Sequence, residues 1–130
     1  MPNVVVEVFG DCVVLVQGER DLSVVEWAGF MERARHPTVT KIVVITFGGT
    51  IDGSQRKDAQ AMLRQGKEVF VVSDSSTARV VSSALRWLGL KLTNYRTADL
   101  DQALAAAGLL APKHQGVRER VHQMIATLGQ

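Results

Sequence analysis

The residues that could do chemistry crowd into one stretch, Gly48-Gly49-Thr50-Ile51-Asp52-Gly53-Ser54-Gln55-Arg56-Lys57. It holds two hydroxyls, one carboxylate, one amide and two cations within ten positions. Thr50 would serve as a nucleophile if a base and an oxyanion site stood beside it. Ser54 offers a different chemistry, because it opens a helical pattern. A phosphate there would meet free backbone N–H groups and the positive end of the helix dipole. Arg56 and Lys57, in the same first turn, could pair with that phosphate. A second polar loop, Asp74-Ser75-Ser76, follows the next strand and reaches the same sheet edge. It either caps the helix after it or extends a surface for a partner or ligand.

The elements that position these groups are legible from the apolar pattern. Asn3 to Phe9 and Cys12 to Gln17 are β-branched runs separated by Gly10-Asp11, which predicts an antiparallel hairpin. Ser23 with Glu26 has the spacing of a capping box, and Val24, Trp27, Ala28 and Met31 share one helix face. Pro37 ends that helix. Lys41 to Phe47 is a nearly continuous apolar run, as expected of a strand covered on both faces.

The Gly48 to Gly53 turn then feeds a helix from Ser54 to Gln65, stopped by Gly66. Glu68 to Val72 is a strand, Thr77 to Leu88 a helix, Leu92 to Tyr95 a short strand, and Leu100 to Ala107 a helix. Trp27 and Trp87 are read as core residues, with Trp87 beside Arg86 also a candidate partner anchor. Ala111 to Gly116 reads as a linker, and Val117 to Leu128 as an amphipathic helix. Residues 1–110 are therefore expected to form one α/β domain, with residues 111–130 as linker and terminal helix. The sheet should be mixed, with about five strands: an antiparallel hairpin, then parallel strands joined by right-handed crossovers, with four to five helices.

Composition excludes several classes. A net charge of +2 with no dense Lys/Arg stripe argues against nucleic acid. The single cysteine, Cys12, rules out an intrachain disulfide and a Cys-rich zinc site. It sits in an apolar run and reads as a small buried hydrophobe. His36, His114 and His122 have no metal-ligand spacing beyond Glu119 three residues before His122. The turn lacks both the Lys-Ser/Thr of a P-loop and the Gly pattern of a dinucleotide site. No cofactor or metal is expected. No apolar stretch reaches the ~20 residues of a bilayer span, and the first residues lack a signal-peptide pattern. Membrane insertion is not expected, and a cytoplasmic location is.

The strand order and three short motifs resemble the STAS domain, named for sulfate transporters and anti-sigma factor antagonists. Gly18-Glu19-Arg20-Asp21 is similar to the family's Gly-x-Leu-Asp turn, with Arg20 where Leu is usual. Ile51-Asp52-Gly53-Ser54 is similar to its Asp-Ser-Ser-Gly junction, with Gly53 in place of the first Ser and Gln55 in place of the Gly. Gly66 to Gly89-Leu90 is similar to the segment that follows. The resemblance spans about Val4 to Leu109 and implies a regulatory protein, not an enzyme. By that resemblance Ser54 is the phosphoacceptor and Asp52 the family's acidic residue. The partner is a protein, an anti-sigma factor or its kinase. The implied partner surface is Thr50, Asp52, Gly53, Gln55, Arg56 and Lys57, extended by Asp74, Ser75 and Ser76. The terminal helix lies outside the resemblance and either packs on its own domain or exchanges into a homodimer.

Two other functions compete. A domain of this kind could hold a small apolar ligand, in a strand-end crevice or in a groove beneath an amphipathic helix. Thr46 to Gly53 also resembles the first motif of bacterial-type L-asparaginases, Thr-Gly-Gly-Thr-Ile-Ala-Gly, which would make Thr50 the nucleophile. That family draws further groups from a Thr-Asp-Thr segment and a distant Lys, and this chain has no Thr-Asp-Thr. The plain reading is that Gly48 and Gly49 make a tight turn which Thr50 lines.

Overall fold

A computed structural model describes residues 2–76 and 89–130. The helix expected over Thr77 to Leu88, with Arg86 and Trp87, lies outside the described residues. Five strands form one sheet: β1 (Val4–Phe9), β2 (Cys12–Gln17), β3 (Lys41–Thr46), β4 (Glu68–Val72) and β5 (Leu92–Tyr95). Their spatial order is their chain order. β1 and β2 are antiparallel, in register Val4 to Gln17 through Phe9 to Cys12, and β2 through β5 run parallel. The expected mixed α/β sheet, with its antiparallel hairpin followed by parallel strands, is the observed one.

Four helices are described: α1 (Val24–Ala34), α2 (Gly53–Arg64), α3 (Leu100–Ala106) and α4 (Val117–Thr127). Ser23 caps α1 through the capping box with Glu26, as their spacing predicts. α2 begins one residue earlier than the sequence pattern suggests. The Asp52 carboxylate accepts from the Gln55 N–H, and the Gln55 side chain accepts from the Asp52 N–H. Asp52 is the cap, so Gly53 and Ser54 are already helical.

The pleat sends alternate strand residues to opposite layers. Val13, Leu15 and Ile42 pack with Leu22, Trp27, Phe30, Met31 and Met62. That layer holds α1 and α2, the helices that carry β2 to β3 and β3 to β4. Sheet growth in one direction with right-handed crossovers puts both on one face. Cys12, Val14, Val16, Val43, Ile45, Phe70 and Val72 face the other way, against α3 and α4. Residues 111–130 are therefore not merely appended: Val117, Val121, Met124 and Leu128 of the terminal segment belong to this second layer. Arg120 pairs with Glu7 of β1 to hold α4 at that edge. On the opposite layer Lys67 is buried, and its ammonium donates to the His36 and Val39 carbonyls. Desolvation pushes its pKa down.

Cys12 is fully buried, and burial, reinforced by the neighbouring Asp11 charge, pushes its thiol up to about 12. It packs as a small hydrophobe. Among the described residues no helix is long and apolar enough to cross a membrane, and no group of three His, Cys, Asp or Glu side chains could hold a metal ion.

Candidate functional site

The C-terminal ends of β2 and β3 each run into a loop, and a buried polar cluster joins the two. Gln17, the last residue of β2, is 2% exposed. Its side-chain amide donates to the Arg20 carbonyl at 2.9 Å and to the Thr50 carbonyl at 3.0 Å. Asn3 completes the set: its amide donates to the same Arg20 carbonyl, and its oxygen accepts from the Arg20 N–H. The backbone extends the pairing, with Gly49 N–H donating to the Gly18 carbonyl at 3.0 Å. Gly49 is buried, and a Cβ there would stand inside van der Waals contact of the Arg20 oxygen and the Gln17 amide. Glycine at 49 is thus required by close backbone approach. Gly48 is required by a positive φ, +117°.

A second clamp lies on the outside. The Asp21 carboxylate accepts from the Thr50 N–H at 2.9 Å and from the Thr50 hydroxyl at 2.8 Å. These two hydrogen bonds hold its pKa below the usual carboxylate value. The arrangement bears on Thr50 as a nucleophile. Its only described side-chain partner is a carboxylate made less basic by the contact itself, and no His or Lys hydrogen-bonds it among the described residues. Asp21 and Thr50 are read as a loop clamp.

The sequence-predicted surface divides. Thr50, Asp52, Gly53, Ser54, Arg56 and Lys57 are exposed and contiguous around the first turn of α2. Gln55 is not among them, which corrects its place on a partner surface. It is 4% exposed, and its amide donates to the Leu22 carbonyl at 3.1 Å. As the third helical residue it points inward and ties α2 to the segment before α1. Asp74, Ser75 and Ser76 are exposed at the end of β4. Asp74 accepts from the Thr97 N–H at 3.0 Å and hydroxyl at 2.7 Å, bridging the ends of β4 and β5.

Sequence reasoning did not locate an apolar cavity of about 300 Å³ between α2 and the sheet. Val44, Thr46, Val69 and Val71 form its floor, Ala59, Met62 and Leu63 part of its roof, and Gly48 to Ile51 one end. Its cause lies in the composition of α2. Met62 and Leu63, its buried apolar residues, stand in the last turn. Over the C-terminal ends of β3 and β4 the helix presents Arg56, Ala59 and Gln60, none of which fills an apolar gap. The two faces of the same strands show the result. Val43 and Val72 are fully buried against α3 and α4, whereas Val44, Val69 and Val71 stay partly accessible. Asn94, opposite Val71 in the register, encloses both polar atoms of its amide without a hydrogen-bond partner among the described residues. Compared with protein-family models, curated proteins and solved structures, the chain matches none.

Gly49→Ala is expected to cost about 3 kcal/mol, the upper end for overpacked interiors. Gly53→Ala, with open space around it, should be neutral or stabilising by about 0.4–1 kcal/mol. Urea denaturation of both variants checks the contrast, and equal losses would contradict it. The Asp21 clamp gives a pH signature. Its stabilisation is complete above the unfolded carboxylate's pKa and is lost as pH falls through the lower folded value. The Thr50 amide proton shift should therefore titrate with a midpoint below 3.8, the ordinary value. A midpoint at or above that value would show the clamp is not formed in solution.

Proposed function

We propose that this protein is a binding module for a small apolar molecule, held between α2 and the sheet. The observation that carries this reading is the cavity of about 300 Å³ floored by Val44, Val69 and Val71. Protein interiors are ordinarily filled to crystal-like density. An apolar space this large beside a fully packed opposite layer marks a ligand site more readily than a packing defect, and its size reaches the lower end of small-molecule sites, roughly 300–1,000 Å³. The polar clamps at Gln17 and Asp21 suit this role, because they hold the loop at the cavity's end without drawing on its apolar wall.

A second reading, the STAS-like one, is favoured by Ser54. Its side chain is exposed in the first turn of α2, and Lys57 and Arg56 are exposed beside it. A regulatory domain of this kind would dock a protein partner there, an anti-sigma factor or kinase in the family's manner. Phosphorylation of Ser54 would supply the switch. Both readings describe binding without turnover, and both place the protein in the cytoplasm.

The neutral fluorophore N-phenylnaphthylamine should bind the full chain with a rise in emission. Ala59→Trp, which fills the roof of the cavity, should weaken it about tenfold or more without lowering the melting temperature. Absence of binding, or binding indifferent to the Trp, would refute the cavity as a ligand site. For the second reading, labelled ATP and extract from the native cells should place phosphate on Ser54. Label elsewhere, or none, removes the switch.

A further inference from the structure

The cavity's wall is apolar, but its rim is not. Arg56 lines it from the first turn of α2 and is exposed to solvent. Among the described residues the ion pairs are Lys41 with Asp11, Arg118 with Asp101 and Arg120 with Glu7, so Arg56 has none. The carboxylates around α2 are committed elsewhere. Asp21 accepts from Thr50, Asp52 from the Gln55 N–H, and Asp58 from the Trp27 indole at 2.9 Å. The first turn of α2 contains no acidic residue to offset the cation. One guanidinium without a carboxylate partner thus stands where an apolar cavity opens to water.

We propose that the ligand is an amphiphile with one anionic head, a medium-chain monocarboxylate, its tail on Val44 and Val71 and its carboxylate on Arg56. The proposal rests on reading the cavity as a ligand site. Chain length follows from volume. An apolar cavity of about 150 Å³ holds benzene, so one of about 300 Å³ takes roughly twice that bulk, a medium alkyl chain rather than a long one. Head-group choice follows from charge. Guanidinium offers a planar fork of N–H donors that matches a carboxylate in two parallel hydrogen bonds. A cationic head would be repelled by Arg56, and a neutral head would leave Arg56 unpaired.

The test is displacement of N-phenylnaphthylamine from the full chain by decanoate, decanol and decyltrimethylammonium, each below its micelle-forming concentration. Decanoate should displace at about tenfold lower concentration than decanol, and the ammonium should be the weakest. Arg56→Gln should erase the preference for decanoate while leaving decanol unchanged, and Arg56→Lys should retain part of it. Lys57→Gln, outside the cavity lining, should retain it fully. Equal displacement by decanoate and decanol, or a preference that survives Arg56→Gln, overturns the head-group assignment while fluorophore binding shows the cavity reading intact. If the fluorophore itself does not bind, the cavity reading fails and this assignment falls with it.

Discussion

The side chain of Gln17 is the constraint on which the upper end of the sheet depends. Two loops leave that end, one after β2 and one after β3, and each brings a backbone carbonyl against the buried Gln17 amide. An unpaired carbonyl there would cost about 1–3 kcal/mol. The Gln17 amide meets one carbonyl from each loop, those of Arg20 and Thr50, and so converts two liabilities into a single tie. Asn3 shares the Arg20 group from the opposite side. The tie only forms if the loops approach closely, which is why position 49 has room for no Cβ. Gly49, Gln17 and Asn3 are one device built from three distant parts of the chain.

That device decides where α2 starts. With Thr50 held by Gln17 inside and by Asp21 outside, the chain leaves the loop in a fixed direction. Asp52 then reaches the position of a helix cap, and Gln55 turns inward to Leu22. The polar residues of this region therefore perform two tasks. Those facing in, Gln17 and Gln55, build the frame. Those facing out, Ser54, Arg56 and Lys57, stand exposed to solvent. Among the described residues, a frame made of hydrogen bonds rather than apolar side chains leaves the space beneath the first half of α2 without filler. The cavity follows directly from that choice.

The opposite layer shows the alternative. α3, α4 and the turn after α3 bring Leu104, Leu109, Val121 and Met124 to the sheet, and Val14, Val43 and Val72 beneath them are fully buried. Among the described residues the same strands thus carry a fully packed face and a less completely filled one. Burial on the α3/α4 side supplies the better-packed layer of the sheet. Low local packing at functional sites, supported by a well-packed remainder, is a common division in small domains.

Sequence alone determined the described elements and their order. Hydrophobic runs of five to seven residues, the Ser23 capping box and the glycine stops are local signals, and local signals survive without tertiary context. The hairpin and the parallel order followed from connection lengths and handedness. The junction at 48–57 was also legible as a strand, a glycine turn and a helix start in sequence. Three things were decided only by the tertiary structure. Gln55 looked like a surface residue among polar neighbours, but its direction depends on where Asp52 caps. Gln17 looked like a strand end, since its two carbonyl partners lie 3 and 33 positions away. A groove beneath an amphipathic helix was an alternative open from the sequence, but the position of the cavity had no sequence signature. An unfilled volume is a property of which side chains fail to meet across two elements, and the sparse apolar face of α2 becomes a site only once it lies over Val44 and Val71.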